Sequence, residues 1–590
     1  MPQRWKRLPF GAVRPLGWIK DQIENDLANG FAGCLDALTE RASTDLWLNQ
    51  IDSASDQVAW WDAETRGNWI WGLAMSALLV DDAAGREKVR AALDAWISSQ
   101  GQDGYLGIYT DRSRYRHPPG EQGELWGQSR ALLSLLTWSE FFGSAPEFEA
   151  ALRAVKRTIA AHQSGAKFFQ AGQNPHDGCG MAHGLCYTDV MQRMFERTGD
   201  ARFLRFAGEL YREFSAAAGL EAFRDLSAAQ LETRRKFSGH AVHTVEHIRC
   251  LLVALAAGAV GPRALDSAIK KLQRFRLPNG AVQGDESLRG KSSPRIGYEY
   301  CTITELAMSL GELGRAWGGA AIFDWLETLV YSAGQGARLG DGKGIGYLTT
   351  DDQFSADARR TDAYSGREPG RRYKISPTHE DVACCCNPNS VRLMPQFVAD
   401  MWALDPDGFA CCAFGPSELR AEFAGAPLSI VQETNYPFED RVHFRVQKAA
   451  AGELTITIRK PQWSGEASLN GAAFETRGQW FVVRVDGAEA EFSVDLAPDI
   501  RREQYATGEV AILRGPHQFV QRIEPSFVPT KSYPVAGFCD FDVVPMAELP
   551  RPPDVSDLRF EGDRILTGDG GTLVPIGQTV LRRAGFLARG

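Results

Sequence analysis

Trp138-Ser139-Glu140-Phe141-Phe142-Gly143 and Phe195-Glu196-Arg197-Thr198-Gly199-Asp200 each close an apolar helical pattern on a glycine, with a second helical pattern starting a few residues later. A glycine just past a helix readily takes the left-handed conformation that ends it. The same phrase recurs at Gly85, Gly258 and Gly318, so the five glycines are spaced 58, 56, 59 and 60 residues apart. A unit of that length suits a hairpin of two helices with its loops, and five copies plus a terminal one predict about six hairpins. Closed into a ring, these make an (α/α)6 barrel. Within one unit Val89, Leu93, Trp96 and Ile97 stand at i, i+4, i+7 and i+8, which gives that helix a single apolar face.

The texture changes near residue 416. Leu454-Thr455-Ile456-Thr457-Ile458 and Trp480-Phe481-Val482-Val483-Arg484-Val485 read as short strands bounded by Gly, Pro and Asn. Such strands predict two packed antiparallel sheets. The expected organisation is a barrel over 1–415, a β-sandwich over 416–510, and a second β-rich segment over 511–590 that packs on the sandwich or the barrel.

Of the 590 residues, 44% are hydrophobic and 24% charged, the balance of a globular protein. With 65 Lys plus Arg against 74 Asp plus Glu, the net charge of -9 offers no footprint for nucleic acid or an anionic membrane. No apolar run approaches a membrane span, and the start Met1-Pro2-Gln3-Arg4-Trp5-Lys6-Arg7 leads into no sustained apolar stretch, so a cytoplasmic location is expected. Eleven cysteines without a signal peptide read as reduced thiols.

Three of them are adjacent, in His379-Glu380-Asp381-Val382-Ala383-Cys384-Cys385-Cys386-Asn387-Pro388-Asn389. No regular element points three consecutive side chains into one core. Upstream, Tyr298-Glu299-Tyr300-Cys301 offers a carboxylate and a thiol on one side of extended backbone. Together these suggest a Glu-Cys-Cys-Cys site for Zn²⁺, which suits thiolates and a carboxylate in tetrahedral array. Gly284-Asp285-Glu286-Ser287-Leu288-Arg289-Gly290 sets an acidic pair in a glycine-bounded loop where a carboxyl group can act as general acid. His243-Thr244-Val245-Glu246-His247 fits the H-x-x-E-H spacing of inverted zinc peptidases, a remote alternative, with His240 on the same helical face. Gly340-Asp341-Gly342-Lys343-Gly344 lacks the hydroxyl residue of a phosphate loop and reads as a turn.

Four blocks in order resemble glycoside hydrolase family 127, the group of β-L-arabinofuranosidases, and its relative family 146. They are Gly11-Ala12-Val13-Arg14-Pro15-Leu16-Gly17-Trp18, Gly239-His240-Ala241-Val242, Asp285-Glu286-Ser287-Leu288 with Tyr298-Glu299-Tyr300-Cys301, and Cys385-Cys386-Asn387-Pro388-Asn389. The resemblance spans roughly residues 8 to 405 and implies the same barrel followed by β-sandwich modules. It implies Cys385 as nucleophile, Glu286 as general acid/base, Glu299, Cys301, Cys385 and Cys386 as zinc ligands, and His240 as a sugar contact.

The implied chemistry is a retaining exo-glycosidase, best matched to β-L-arabinofuranosides. A zinc-bound thiolate attacks the anomeric carbon and the carboxylic acid protonates the leaving oxygen. The chain departs from the family where His-Glu-Leu-Tyr becomes Gly123-Glu124-Leu125-Trp126 and where Cys-Cys-Pro-Pro-Asn becomes Cys385-Cys386-Asn387-Pro388-Asn389. Glu124 and Trp126 are therefore candidate substrate contacts in an altered pocket, as are His183 and His379. Cys384 stands as a competing ligand. Two further readings are a carboxylate-pair glycosidase built on Asp285, Glu286 or Glu124 with structural zinc, and a carbohydrate-binding protein without turnover. The expected partner is a small carbohydrate or glycoside. Oligomeric state is left open, a homodimer included.

Overall fold

The computed structural model describes residues 4–52, 59–170, 172, 178–358 and 370–587. The terminal residues 1–3 and 588–590, quoted or spanned above, lie outside them. Six helices form the inner ring: Trp61–Leu79, Glu124–Phe142, Tyr187–Thr198, Ala241–Ala256, Tyr300–Trp317 and Leu393–Asp400. Each packs on the next, and Leu393–Asp400 returns to Trp61–Leu79 to close the circle. The outer ring is Ala83–Ser99, Ala145–Gln163, Ala201–Ala216, Pro262–Leu272, Ala320–Thr328 and Gly17–Ala28. This is the expected (α/α)6 barrel.

Burial separates the two rings as their sequences dictate. Glu124–Phe142 is buried without a break from Glu124 to Ser139, because it is covered on all sides. Ala83–Ser99 buries Val89, Leu93 and Trp96 and half-buries Ile97, a single stripe facing inward. Gly143, Gly199 and Gly318 end inner helices in the left-handed conformation, and Gly258, at φ 69°, follows the end of a fourth. Gly85 departs from the pattern. The helix before it ends at Leu79, Asp81 takes the positive φ of 60°, and Gly85 sits inside the next helix, donating its N–H to the Asp82 cap.

The strands begin ahead of residue 416. Trp402–Asp405 and Gly408–Cys411 join Leu454–Arg459, Trp480–Val485 and Phe474–Thr476 in one sheet. The facing sheet runs Val13–Pro15, Ser417–Phe423, Ala426–Glu433, Arg441–Lys448, Glu489–Asp495 and Ser468–Asn470. Trp402 and Phe444, with ring centroids 6.3 Å apart, meet between the two. Ile500–Gln504, Val510–Arg514 and His517–Ile523 start a second β unit. Pro525–Ser532 and Cys539–Pro545 continue, through Ile375–Ser376 and Ile345–Gly346, into a sheet shared with the barrel loops. No helix among the described residues is long and apolar enough to cross a membrane.

Sandwich and barrel are joined by a buried ion cluster. Arg459, on a sandwich strand and fully buried, pairs with Asp324 and Glu327 of the helix Ala320–Thr328. Glu327 also accepts the Tyr436 hydroxyl at 2.6 Å and the Phe414 N–H at 2.7 Å. Removing one member leaves buried charge uncompensated. Arg459→Leu is expected to cost about 3–5 kcal/mol, read as a lower midpoint in urea unfolding. An unchanged midpoint would mean that the cluster does not hold the two parts together.

Candidate active site

The site lies where inner helices start and barrel loops cross their ends. Glu299 ends the short strand Tyr298–Glu299, which pairs with Leu348–Thr349, and in extended conformation it is the cap of the helix Tyr300–Trp317. Cys301 is therefore in the first helical turn, not on extended backbone as expected. The two side chains still converge, because a cap residue and the second helical residue both project from the helix entrance. Cys385 caps the short helix Cys386–Ser390. One ligand atom from each of Glu299, Cys301, Cys385 and Cys386 falls in a cluster no wider than 4.8 Å. Cys386 Sγ lies 3.5 Å from Glu299 Oε1 and 3.9 Å from Cys385 Sγ. Cys384 is outside this group: it is buried beside Thr65, whose hydroxyl donates to its carbonyl at 2.7 Å.

The donor set fits a divalent cation. All four residues are buried, and Glu299 Oε2 has no hydrogen-bond partner. Burial, with the neighbouring Cys385 and Glu286 charges, pushes the Glu299 carboxyl well above its usual range, and burial pushes the Cys301 and Cys386 thiols up as well. Cys385 alone of the four is favoured as a thiolate. Hydrogen bonds from the Cys301 and Cys386 thiols outweigh its burial, with the Tyr347 hydroxyl helping.

Of the acidic pair, the two members have parted. Asp285 is buried and accepts the Tyr373 hydroxyl at 2.7 Å. Glu286 is half-buried and held at φ 66°, a conformation that costs a non-glycine residue about 1 kcal/mol or more and so marks a constrained position. Its carbonyl accepts the Ala241 N–H at 2.7 Å, and Leu288 N–H donates to Gly239, so the loop is clamped to the start of the His240 helix. Glu286 Oε1 accepts Arg372 Nε at 2.6 Å and the Tyr347 hydroxyl at 3.2 Å. The same hydroxyl lies 3.6 Å from Cys385 Sγ. Tyr347 is held at the start of the helix that carries Cys301, since its carbonyl accepts the Tyr300 N–H at 3.0 Å. Nothing in the local sequence singled out Tyr347 or Arg372.

His240 caps the helix Ala241–Ala256 and brings Nε2 to 3.9 Å from Glu299 Oε2. His183 stacks on Trp126, with centroids 4.5 Å apart, and its Nδ1 lies 2.8 Å from Glu246 Oε1. Burial opposes its charge, but Glu246 raises the imidazole to about 9. Trp126 is buried against His183 and Arg130, a wall behind the histidine rather than an exposed platform.

Two expected contacts are occupied elsewhere. His379 is fully buried, with Nδ1 3.1 Å from Asn387 Oδ1 and Nε2 3.1 Å from the Lys374 carbonyl, so it fixes the cysteine loop. Glu124 is fully buried too and meets Tyr105 OH, Gln128 Nε2, Tyr115 N and His117 Nε2 at 2.7–3.1 Å. Burial alone would raise its pKa, but the hydrogen bond and charge of His117 hold it below the usual carboxylate range. The H-x-x-E-H residues do not converge as a peptidase site: His247 Nε2 is 2.8 Å from the Ala182 carbonyl and Glu246 faces His183. Glu64, which no local sequence pattern marks, is buried on the helix Trp61–Leu79 and pushed by burial up to about 8.

Residues 408–492, the core of the sandwich, match the model for the middle domain of GH127 β-L-arabinofuranosidases. No curated protein matches the chain. Among solved structures, a GH127 β-L-arabinofuranosidase from Geobacillus stearothermophilus T6 superposes with a TM-score of 0.69 at 16% identity, over 97% of this chain and 98% of that one. A glycoside hydrolase (TM-score 0.68, 16% identity, 99% of this chain and 98% of that) and a GH127 β-arabinofuranosidase (0.68, 15%, 99% and 98%) superpose equally well. From the helical barrel through both β units, the chain thus has the fold of the GH127 β-L-arabinofuranosidases.

Proposed function

We propose that the chain is a retaining exo-glycosidase whose nucleophile is Cys385 and whose acid/base is Glu286, acting on a β-L-arabinofuranoside. The observation that carries this reading is the single Tyr347 hydroxyl set between Cys385 Sγ and Glu286 Oε1, at 3.6 and 3.2 Å. A nucleophile and an acid sharing one hydroxyl suit double displacement, in which the two groups of a retaining site stand about 5–5.5 Å apart. The sugar is suggested by the names of the matching structures.

Glu299, Cys301, Cys385 and Cys386 would hold Zn²⁺, which keeps thiols deprotonated near neutral pH. The Cys385 sulfur attacks the anomeric carbon while the bond to the leaving oxygen breaks, and Glu286 gives that oxygen its proton. Arg372 and Tyr347 both address Oε1, so in this reading Oε2 is the oxygen that gives the proton. Ionised Glu286 then takes a proton from water, the water oxygen attacks the same carbon, and the carbon–sulfur bond breaks. Two inversions return the original configuration.

The test is metal content together with turnover on a panel of aryl glycosides led by aryl β-L-arabinofuranoside. Zinc near one equivalent or more, with hydrolysis and a β-configured first product, is the expected result. Hydrolysis of a different aryl glycoside would replace the sugar and keep the mechanism. Tight sugar binding with no glycoside cleaved would overturn the enzyme reading.

A further inference from the structure

A second cluster of metal-ligating side chains stands apart from the four zinc-site residues. Cys179 opens the helix Cys179–Gly184, His183 lies one turn on, and His243 projects from the first turn of Ala241–Ala256. One ligand atom from each falls in a group no wider than 4.8 Å. From Cys179 Sγ to His243 Nε2 the distance is 4.0 Å. In a tetrahedral zinc site with Zn–S near 2.3 Å and Zn–N near 2.0–2.1 Å, a sulfur and a nitrogen stand about 3.6 Å apart. The Cys179–His243 spacing needs a closure of a few tenths of an ångström, and the widest separation in the group, up to 4.8 Å, a closure of about one ångström.

The surroundings orient these groups as an outer shell orients metal ligands. His183 Nδ1 is engaged by the fully buried Glu246 at 2.8 Å, a carboxylate–histidine pair that leaves Nε2 to coordinate once the ion displaces its proton. His243 Nδ1 is 3.0 Å from His240 Nδ1, which likewise leaves Nε2 toward Cys179. The His183 and His243 rings lie 3.9 Å apart between centroids, tilted by 31°, so ligation of one ion by both would open them by about an ångström. His243 Nε2 also lies 3.1 Å from the Cys179 carbonyl, a contact that coordination would replace. Glu64, close enough to interact with the charges of both Cys179 and His183, is buried with Oε2 lacking any hydrogen-bond partner. Cys179 is half-buried, while His183 and His243 are buried.

We infer that Cys179, His183 and His243 form a second Zn²⁺ site, distinct from the Glu299, Cys301, Cys385 and Cys386 centre and separated from it by His240. Two imidazoles and a thiolate suit Zn²⁺, and three protein ligands leave a fourth position for Glu64, water or a sugar hydroxyl.

The experiment is elemental analysis of the full chain after equilibration with Zn²⁺ and removal of the excess. Two zinc ions per chain are expected for the wild type and one for Cys179→Ser and for His243→Gln. Cys386→Ser, directed at the other centre, should spare the second ion. One ion in the wild type, or two that persist in both Cys179→Ser and His243→Gln, would overturn the inference. A measurement on the wild type alone guards against variants that fail to fold: alkylation of Cys179 by iodoacetamide, followed by peptide mass, with and without Zn²⁺. Zinc should slow it about tenfold or more, because the thiolate serves both alkylation and ligation. Equal alkylation of Cys179 under both conditions would also overturn it.

Discussion

Cys385→Ala is expected to lower kcat by a factor on the order of 10⁴ to 10⁶, the scale seen when a nucleophile that forms a covalent intermediate is removed. Cys385 is also one of four clustered metal-capable residues, so its loss changes two things at once. They separate by product. Without Cys385, the anomeric carbon faces a cavity of about one sulfur atom, and a small external nucleophile such as azide can enter it. Added azide should restore turnover of an activated aryl glycoside and yield a glycosyl azide of inverted configuration, because one displacement replaces two. Cys386→Ala removes a ligand and leaves the attacking sulfur. It should lose activity with metal and gain nothing from azide. Turnover by Cys385→Ala within tenfold of wild type, with no azide, would end the assignment of the nucleophile.

The barrel was legible because its punctuation is local. A left-handed residue at the end of an inner helix is a backbone requirement that glycine meets without strain, and Gly143, Gly199 and Gly318 meet it. Gly85 was misplaced for a related reason: Asp81 tolerates the left-handed region and took the slot, leaving the glycine to the next helix. The strands at Trp402–Asp405 and Gly408–Cys411 went unread since they follow a helix directly, and their sheet is completed from residues 454–485.

The four clustered residues Glu299, Cys301, Cys385 and Cys386 were visible as unusual residue types that packing alone does not explain. Histidine and glutamate elsewhere were ambiguous. His379 and Glu124 look in sequence like pocket residues, and in the structure their ring nitrogens and carboxylate oxygens are met by neighbouring groups of the fold, which the sequence does not disclose. Tyr347 and Arg372 carry no local pattern. Ile345–Gly346, just before Tyr347, and Ile375–Ser376, just after Arg372, are strands of a sheet completed by residues 525–545. Their convergence on Glu286 therefore depends on the far end of the chain.

Glu286→Gln should divide its effect by leaving group, the signature of an acid that works on oxygen. With a poor leaving group the first bond cannot break without a proton, and kcat/KM is expected to fall about 10²- to 10⁴-fold. With dinitrophenolate, which departs as a stable anion, the same substitution should cost the first step little. The second step still lacks its base, so water attacks slowly and the sugar stays on sulfur. Glu286→Gln with dinitrophenyl β-L-arabinofuranoside should accordingly show a burst of phenolate close to one equivalent, and the intact chain should gain the mass of one sugar on the peptide containing Cys385. Gln keeps the size of the side chain and an amide oxygen to receive Arg372 Nε and Tyr347 OH, so the cysteine loop should remain in place. Equal losses for both leaving groups, or a burst without an adduct on Cys385, would show that Glu286 positions the sugar and does not transfer the proton.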